Sequence, residues 1–135
     1  MKTTRYFSKY EPHAYAALRI VTGFLLLWHG TQKIFDFPPH PGIVIPLYIV
    51  LIGGTVEFFG GLLVMTGLWT RWVAILCSGE MAYAYWVYHG TNAVLPFLNH
   101  GELAMFYCFV FLFITARGSG TFSKDHLIGK KSPKD

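Results

Sequence analysis

Four long, mostly apolar stretches dominate the chain, at about residues 14–35, 43–67, 71–89 and 98–116. A bilayer core of about 30 Å needs about 20 helical residues, and each stretch comes close to that length. The breaks between them carry turn chemistry. Asp36-Phe37-Pro38-Pro39-His40-Pro41-Gly42 cannot continue a helix, because proline lacks the backbone donor and clashes with the preceding turn. Gly67-Leu68-Trp69-Thr70 is so short that the flanking helices must be antiparallel neighbours. Gly90 to Pro96 separates the last two. There is no internal repeat and no low-complexity segment. The pattern predicts an all-α membrane four-helix bundle, one domain over 1–135 with short basic tails.

Composition points the same way. Of the 135 residues 53% are hydrophobic and only 13% are charged, against roughly a quarter in soluble domains. A soluble chain this small could not hide so much apolar surface. The net charge of +4 raises the question of nucleic acid. However, the cations sit mostly in the tails, Lys2, Arg5 and Lys9 at one end and Arg117, Lys124, Lys130, Lys131 and Lys134 at the other. That suits an orientation signal better than a phosphate-binding face.

The first and third connections hold no Lys or Arg, whereas the second holds Arg71. Positive charge stays inside, so both termini and the Arg71 turn are expected in the cytoplasm, with the chain multi-pass in the cell (inner) membrane. Trp69 and Trp72 flank Arg71, Trp86 and Tyr88 sit near the opposite boundary, and Tyr6, Tyr10 and Tyr15 crowd the first entry. This is an aromatic belt at each interface. The first stretch carries Arg19, ends in His29-Gly30-Thr31-Gln32-Lys33 and lacks a small-residue cleavage site, so it is expected to be retained. Cys77 and Cys108 lie in apolar runs outside any Cys-x-x-Cys and count as small buried hydrophobes.

Ionisable residues within the stretches are costly in lipid and should face inward. Arg19, His29 and Lys33 lie in the first stretch, and Glu57, Glu80 and Glu102 in the second, third and fourth. At 1.5 Å per residue Glu57 and Glu80 both fall roughly 15 Å from the cytoplasmic boundary. Two polar layers are expected: a buried site of Arg19, Glu57 and Glu80, and an outer cluster of His29, Lys33 and Glu102. Helical phase supports this. Gly53, Glu57, Gly60 and Gly67 share one face, as do Arg19, Gly23, Gly30 and Lys33, and glycines so spaced allow close helix approach. The layers either set helix register only or form a polar cavity that binds a ligand or relays protons. Acids outnumber deeply placed cations, which predicts that a carboxyl carries a proton at neutral pH.

Other candidates are weaker. A haem would need two of His29, His89 and His100 on facing helices, and interfacial polar roles suit them better. His100 and Glu102 lack the spacing of a helix-face metal motif, so no metal is expected. Phe106, Phe109 and Phe113 share the Glu102 face, as packing or as an aromatic slot for a flat lipid-soluble ligand such as a quinone.

Several segments together resemble the DoxX family of small four-helix membrane proteins. They are Leu18-Arg19-Ile20 through His29-Gly30-Thr31-Gln32-Lys33, Glu57-Phe58-Phe59-Gly60-Gly61 through Gly67-Leu68-Trp69-Thr70-Arg71, Gly101-Glu102, and Gly118 through Asp125. The family ending reads Ser-Leu-Asp where this chain has Ser123-Lys124-Asp125, a more basic tail. The resemblance implies the bundle. It also implies an association with membrane redox metabolism, since the family takes its name from subunits of a thiosulfate:quinone oxidoreductase.

Three functions compete. One is a membrane subunit that anchors a soluble oxidoreductase and binds quinone, with no cofactor motif of its own. Another is a small proton-coupled carrier, which four short spans without inverted repeats argue against unless it forms a homo-oligomer. The third is a structural or assembly protein. No nucleophile–base pair or phosphate-cradling loop is present, so the chain is not expected to be an autonomous enzyme.

Overall fold

The computed structural model describes residues 6–39 and 46–131. The expected roles of Lys2, Arg5, Lys134, the end of the proline-rich loop and the start of the second stretch lie outside them. Among the described residues the fold is all-α, with no strand.

Helix α1 is Glu11–Phe35, 25 residues or about 37 Å. It stops where Asp36 turns left-handed ahead of the prolines. Helix α2 runs Ile49–Thr66, its first six residues, Ile49–Gly54, being π-helical. It ends in a Schellman turn: Gly67 N–H reaches Val64 O at 3.1 Å and Leu68 N–H reaches Leu63 O at 3.0 Å. Gly67 sits at φ 72°, the conformation that favours glycine. Helix α3, Thr70–Ala84, continues through a second π-helical turn, Tyr85–His89. A short helix α4, Pro96–Asn99, precedes α5, Glu102–Arg117. The tail closes with α6, Lys124–Lys131.

These helices lie close to the four expected stretches. The fourth begins later than expected because His100 is left-handed and Asn99 ties up the approach. Its side-chain oxygen accepts from Gly101 N–H at 2.7 Å and its amide donates to Ala93 O at 2.8 Å. One helix among the described residues, Ile49–Thr66, is long and apolar enough to cross a membrane, with a mean hydropathy of 1.9. Arg19, His29, Gln32 and Lys33 dilute α1, and α5 is only 16 residues long.

The four long segments alternate in direction. Helix α1 packs along α2, α2 against α3, and α3 along α5, while α1 and α5 scarcely meet. Between α1 and α2 the backbones touch. A Cβ on Gly23 would lie 2.6 Å from Gly61 O, and one on Gly61 would lie 2.5 Å from Leu27 N. Gly53 and Gly60 share a face as expected, but the glycines against α1 are a second pair. Gly54 and Gly61 face α1, whereas Gly53 and Gly60 turn toward α3, where Gly60 meets Cys77. The core is built from Leu26, Val64, Ala74, Cys77, Met81, Tyr107, Phe111 and Ile114. Both cysteines are free thiols, and Ser78 donates to Cys108 O at 2.8 Å.

The outer surface is apolar along every long helix. Val21, Phe24, Leu25, Ile52, Phe59, Trp72, Leu76, Phe106 and Phe109 are all exposed. Two charged residues are buried beneath it: Arg19 is 1% exposed and Glu57 is 3% exposed.

Candidate functional site

Near the middle of the molecule a lysine and two acids meet. Lys33, in the last turn of α1, donates to Glu57 Oε1 at 2.5 Å. Glu80 reaches in from α3. Its Oε1 lies 3.0 Å, and Lys33 Nζ 3.9 Å, from the point where a Cβ on Gly53 would stand. The absent side chain at Gly53 is what leaves room for the three groups. The second oxygens, Glu57 Oε2 and Glu80 Oε2, are buried without a hydrogen-bond partner. Cys77, against Gly60, is within electrostatic reach of both acids, and Tyr107 on α5 is within reach of Glu57. A buried carboxylate oxygen without a donor is an uncommon and costly arrangement.

The membership of this layer differs from the expected one. Arg19 does not join Glu57 and Glu80. Its guanidinium turns the other way and donates to Val64 O at 2.5 Å, Met65 O at 2.8 Å and Phe122 O. The last carbonyls of a helix lack partners within it and carry partial negative charge, and Arg19 satisfies those at the end of α2. Nor do His29, Lys33 and Glu102 cluster. Lys33 pairs with Glu57, His29 sets its ring perpendicular to Tyr107 with centroids 6.0 Å apart, and Glu102 is exposed in the first turn of α5. There its charge complements the helix N-terminus. His89 contacts Asn99 O at 3.0 Å, and His100 is exposed. Among the described residues no group of three or more His, Cys, Asp or Glu could hold a metal.

The gap between α1 and α5 forms an apolar groove. One cavity of about 330 Å³ lies between Leu18, Val21, Thr22 and Leu25 on one side and Leu103, Phe106 and Tyr107 on the other. A second, of about 520 Å³, shares Leu25 and continues past Trp28, His29 and Gln32 to Phe37. His29 and Tyr107, which touch one another, thus lie along the groove on the side nearest Glu57. Of the three α5 phenylalanines expected on the Glu102 face, Phe106 lines the groove, Phe109 is exposed and Phe113 packs edge-on against Tyr15.

A second polar cluster was missed from the sequence. The tail folds back as a strap over the end of the bundle that holds the turn between α2 and α3. Asp125 accepts from Trp69 N–H at 2.8 Å, Thr70 N–H at 3.0 Å and the Thr70 hydroxyl at 2.9 Å. It thereby caps the start of α3 from a distant part of the chain. Asp125 N–H in turn donates to Gly67 O at 2.9 Å. Partial burial pushes the Asp125 carboxyl up, but the Thr70 and Trp69 bonds and the Arg19 charge prevail and hold it below the usual range. Arg71 closes the end of α5, donating at 2.8 Å to both Thr115 O and Ala116 O, and Tyr15 donates to Gly118 O. The available signal was Gly118-Ser-Gly-Thr-Phe-Ser-Lys-Asp itself, turn-forming residues ending in a capping acid.

The sequence model of the DoxX family matches residues 14–90. An uncharacterized protein of Haemophilus influenzae is 37% identical over 131 residues, covering 91% of this chain and 96% of that one. The inner membrane protein YqjF of Escherichia coli is 32% identical over 116 residues, covering 82% of this chain and 78% of its own. No solved structure matches.

Proposed function

Since the chain belongs to the DoxX family, we propose that it is a multi-pass inner-membrane subunit of a redox system whose α1–α5 groove takes a quinone. The four long helical segments span the bilayer, with both termini and the Arg71 turn in the cytoplasm. The exposed apolar girdle around buried charges supports this, because such a surface suits lipid and such an interior does not. The inner-membrane relative and the apolar helix Ile49–Thr66 support it as well.

The groove is the observation that carries the quinone reading. It opens sideways, where a ligand dissolved in the bilayer arrives. Its walls are Leu25, Leu103 and Phe106, and its polar groups are few: Thr22, His29, Gln32 and Tyr107. Lipid-soluble ligands bind in apolar clefts with a few placed polar groups. A flat headgroup between Phe106 and Leu25 would present its carbonyls to His29 and Tyr107. Electrons come from a soluble oxidoreductase partner, which the family name suggests and which the basic tail, together with anionic lipid, would hold.

The test is retention of quinone by the protein purified in mild detergent, measured by solvent extraction and chromatography. Val21→Trp, at an exposed position that lines the groove, should abolish retention while leaving the protein folded. Equal quinone in wild type and variant would sink the reading. The orphaned Glu57 and Glu80 oxygens favour a second role, a proton-coupled carrier. Solute flux into liposomes that is lost in Glu57→Gln would select it.

A further inference from the structure

We infer that Lys33, Glu57 and Glu80 form a binding site for one exchangeable proton, shared by the two carboxyls with Lys33 as the fixed countercharge. The inference rests on the membrane-spanning half of the proposed function and not on the ligand of the groove.

The layer holds two acids and one lysine. From α1 it is faced by Lys33 and, beyond Tyr107, by His29; from α2 by Glu57; from α3 by Glu80 and Cys77; from α5 by Tyr107. Arg19 is committed to carbonyls at the far end of α2. With both acids ionised, one negative charge would remain uncompensated in a lipid-shielded interior. A bound proton removes it.

Geometry agrees with the charge count. Lys33 occupies only Oε1 of Glu57, and Oε2 stays buried and unpartnered on a residue 3% exposed. Glu80 likewise keeps a buried, unpartnered Oε2. A carboxylate only accepts hydrogen bonds, whereas a protonated carboxyl also donates one. One proton therefore supplies the donor that this pair of acceptors lacks. Two acids sharing one site titrate as a pair and not individually. Gly53 keeps the space between Lys33 and Glu80 open, and Tyr107, which lines the groove, lies within electrostatic reach of Glu57.

Infrared spectroscopy of the full chain in lipid reads the proton directly, through the carbonyl stretch of a protonated carboxyl. Wild type at pH 7 should show one such band, shifting when water is replaced by D2O. Glu80→Gln leaves a neutral Lys33–Glu57 pair and should show none. Lys33→Met leaves two acids without a cation and should show two. His29→Phe should keep one. No band in wild type would overturn the proposal, as would a band that survives Glu80→Gln or one that never shifts in D2O. A band that appears only in His29→Phe would assign the second positive charge to His29 and overturn it equally. Val21→Trp blocks the groove from an exposed position and should leave the band in place, so the quinone reading and the proton site fail on different measurements.

Discussion

Arg19 is buried without a carboxylate partner because three backbone carbonyls serve in its place. Removing it leaves the carbonyls of Met65 and Phe122 without that donor, while Val64 O keeps its bond from Gly67 N–H. Arg19→Ala should lower stability by about 1–3 kcal/mol, read as a drop in melting temperature in detergent. Arg19→Lys should recover only part of that, since an ammonium cannot fork to carbonyls on two segments. The two acids should respond unequally to amide substitution. Glu57→Gln strips Lys33 of its ion-pair partner and should cost about 3–5 kcal/mol. Glu80→Gln breaks no ion pair and should leave the melt nearly unchanged. Equal losses would show that Glu80 is as structural as Glu57.

At the scale of elements, the tail is the part whose role the pattern of apolar stretches did not show. Asp125 caps α3 from about 55 residues away, a separation at which no local motif operates. Asp125→Ala should cost about 1 kcal/mol and raise hydrogen exchange at Trp69 and Thr70. Acid should do the same. The folded Asp125 carboxyl lies below its ordinary value, so its stabilisation is complete above the unfolded value of about 3.9. It is lost as pH falls through the folded value. Exchange at these two amides, compared with α1 amides as internal reference, should rise selectively as the pH falls below about 4. The departure from the family at Lys124 leaves the strap intact, because Lys124 is exposed and the flanking Ser123 and Asp125 make the contacts.

Taken whole, the molecule carries aromatic and aliphatic side chains over its outer surface while burying Arg19 and Glu57 beside an apolar core. If the long segments cross the bilayer as proposed, single cysteines at Thr91 and Thr121, in a background lacking Cys77 and Cys108, should label from opposite sides. An impermeant maleimide should reach position 91 in intact cells and position 121 only after lysis. Labelling of both in intact cells would refute the topology.

The four long helical segments and their approximate limits were legible in the amino-acid sequence, because proline, glycine and the length of apolar runs act locally. So was the inward direction of Arg19, Lys33 and Glu57, since charge in an apolar helix has one tolerable direction. The partners were decided by tertiary structure alone. Periodicity specifies the azimuth of a side chain and its rough depth, but not the offset at which two helices interlock. That offset is set by the Gly23–Gly61 backbone contact, and it delivers Lys33 to Glu57 and Arg19 to the carbonyls at the other end of the same helix.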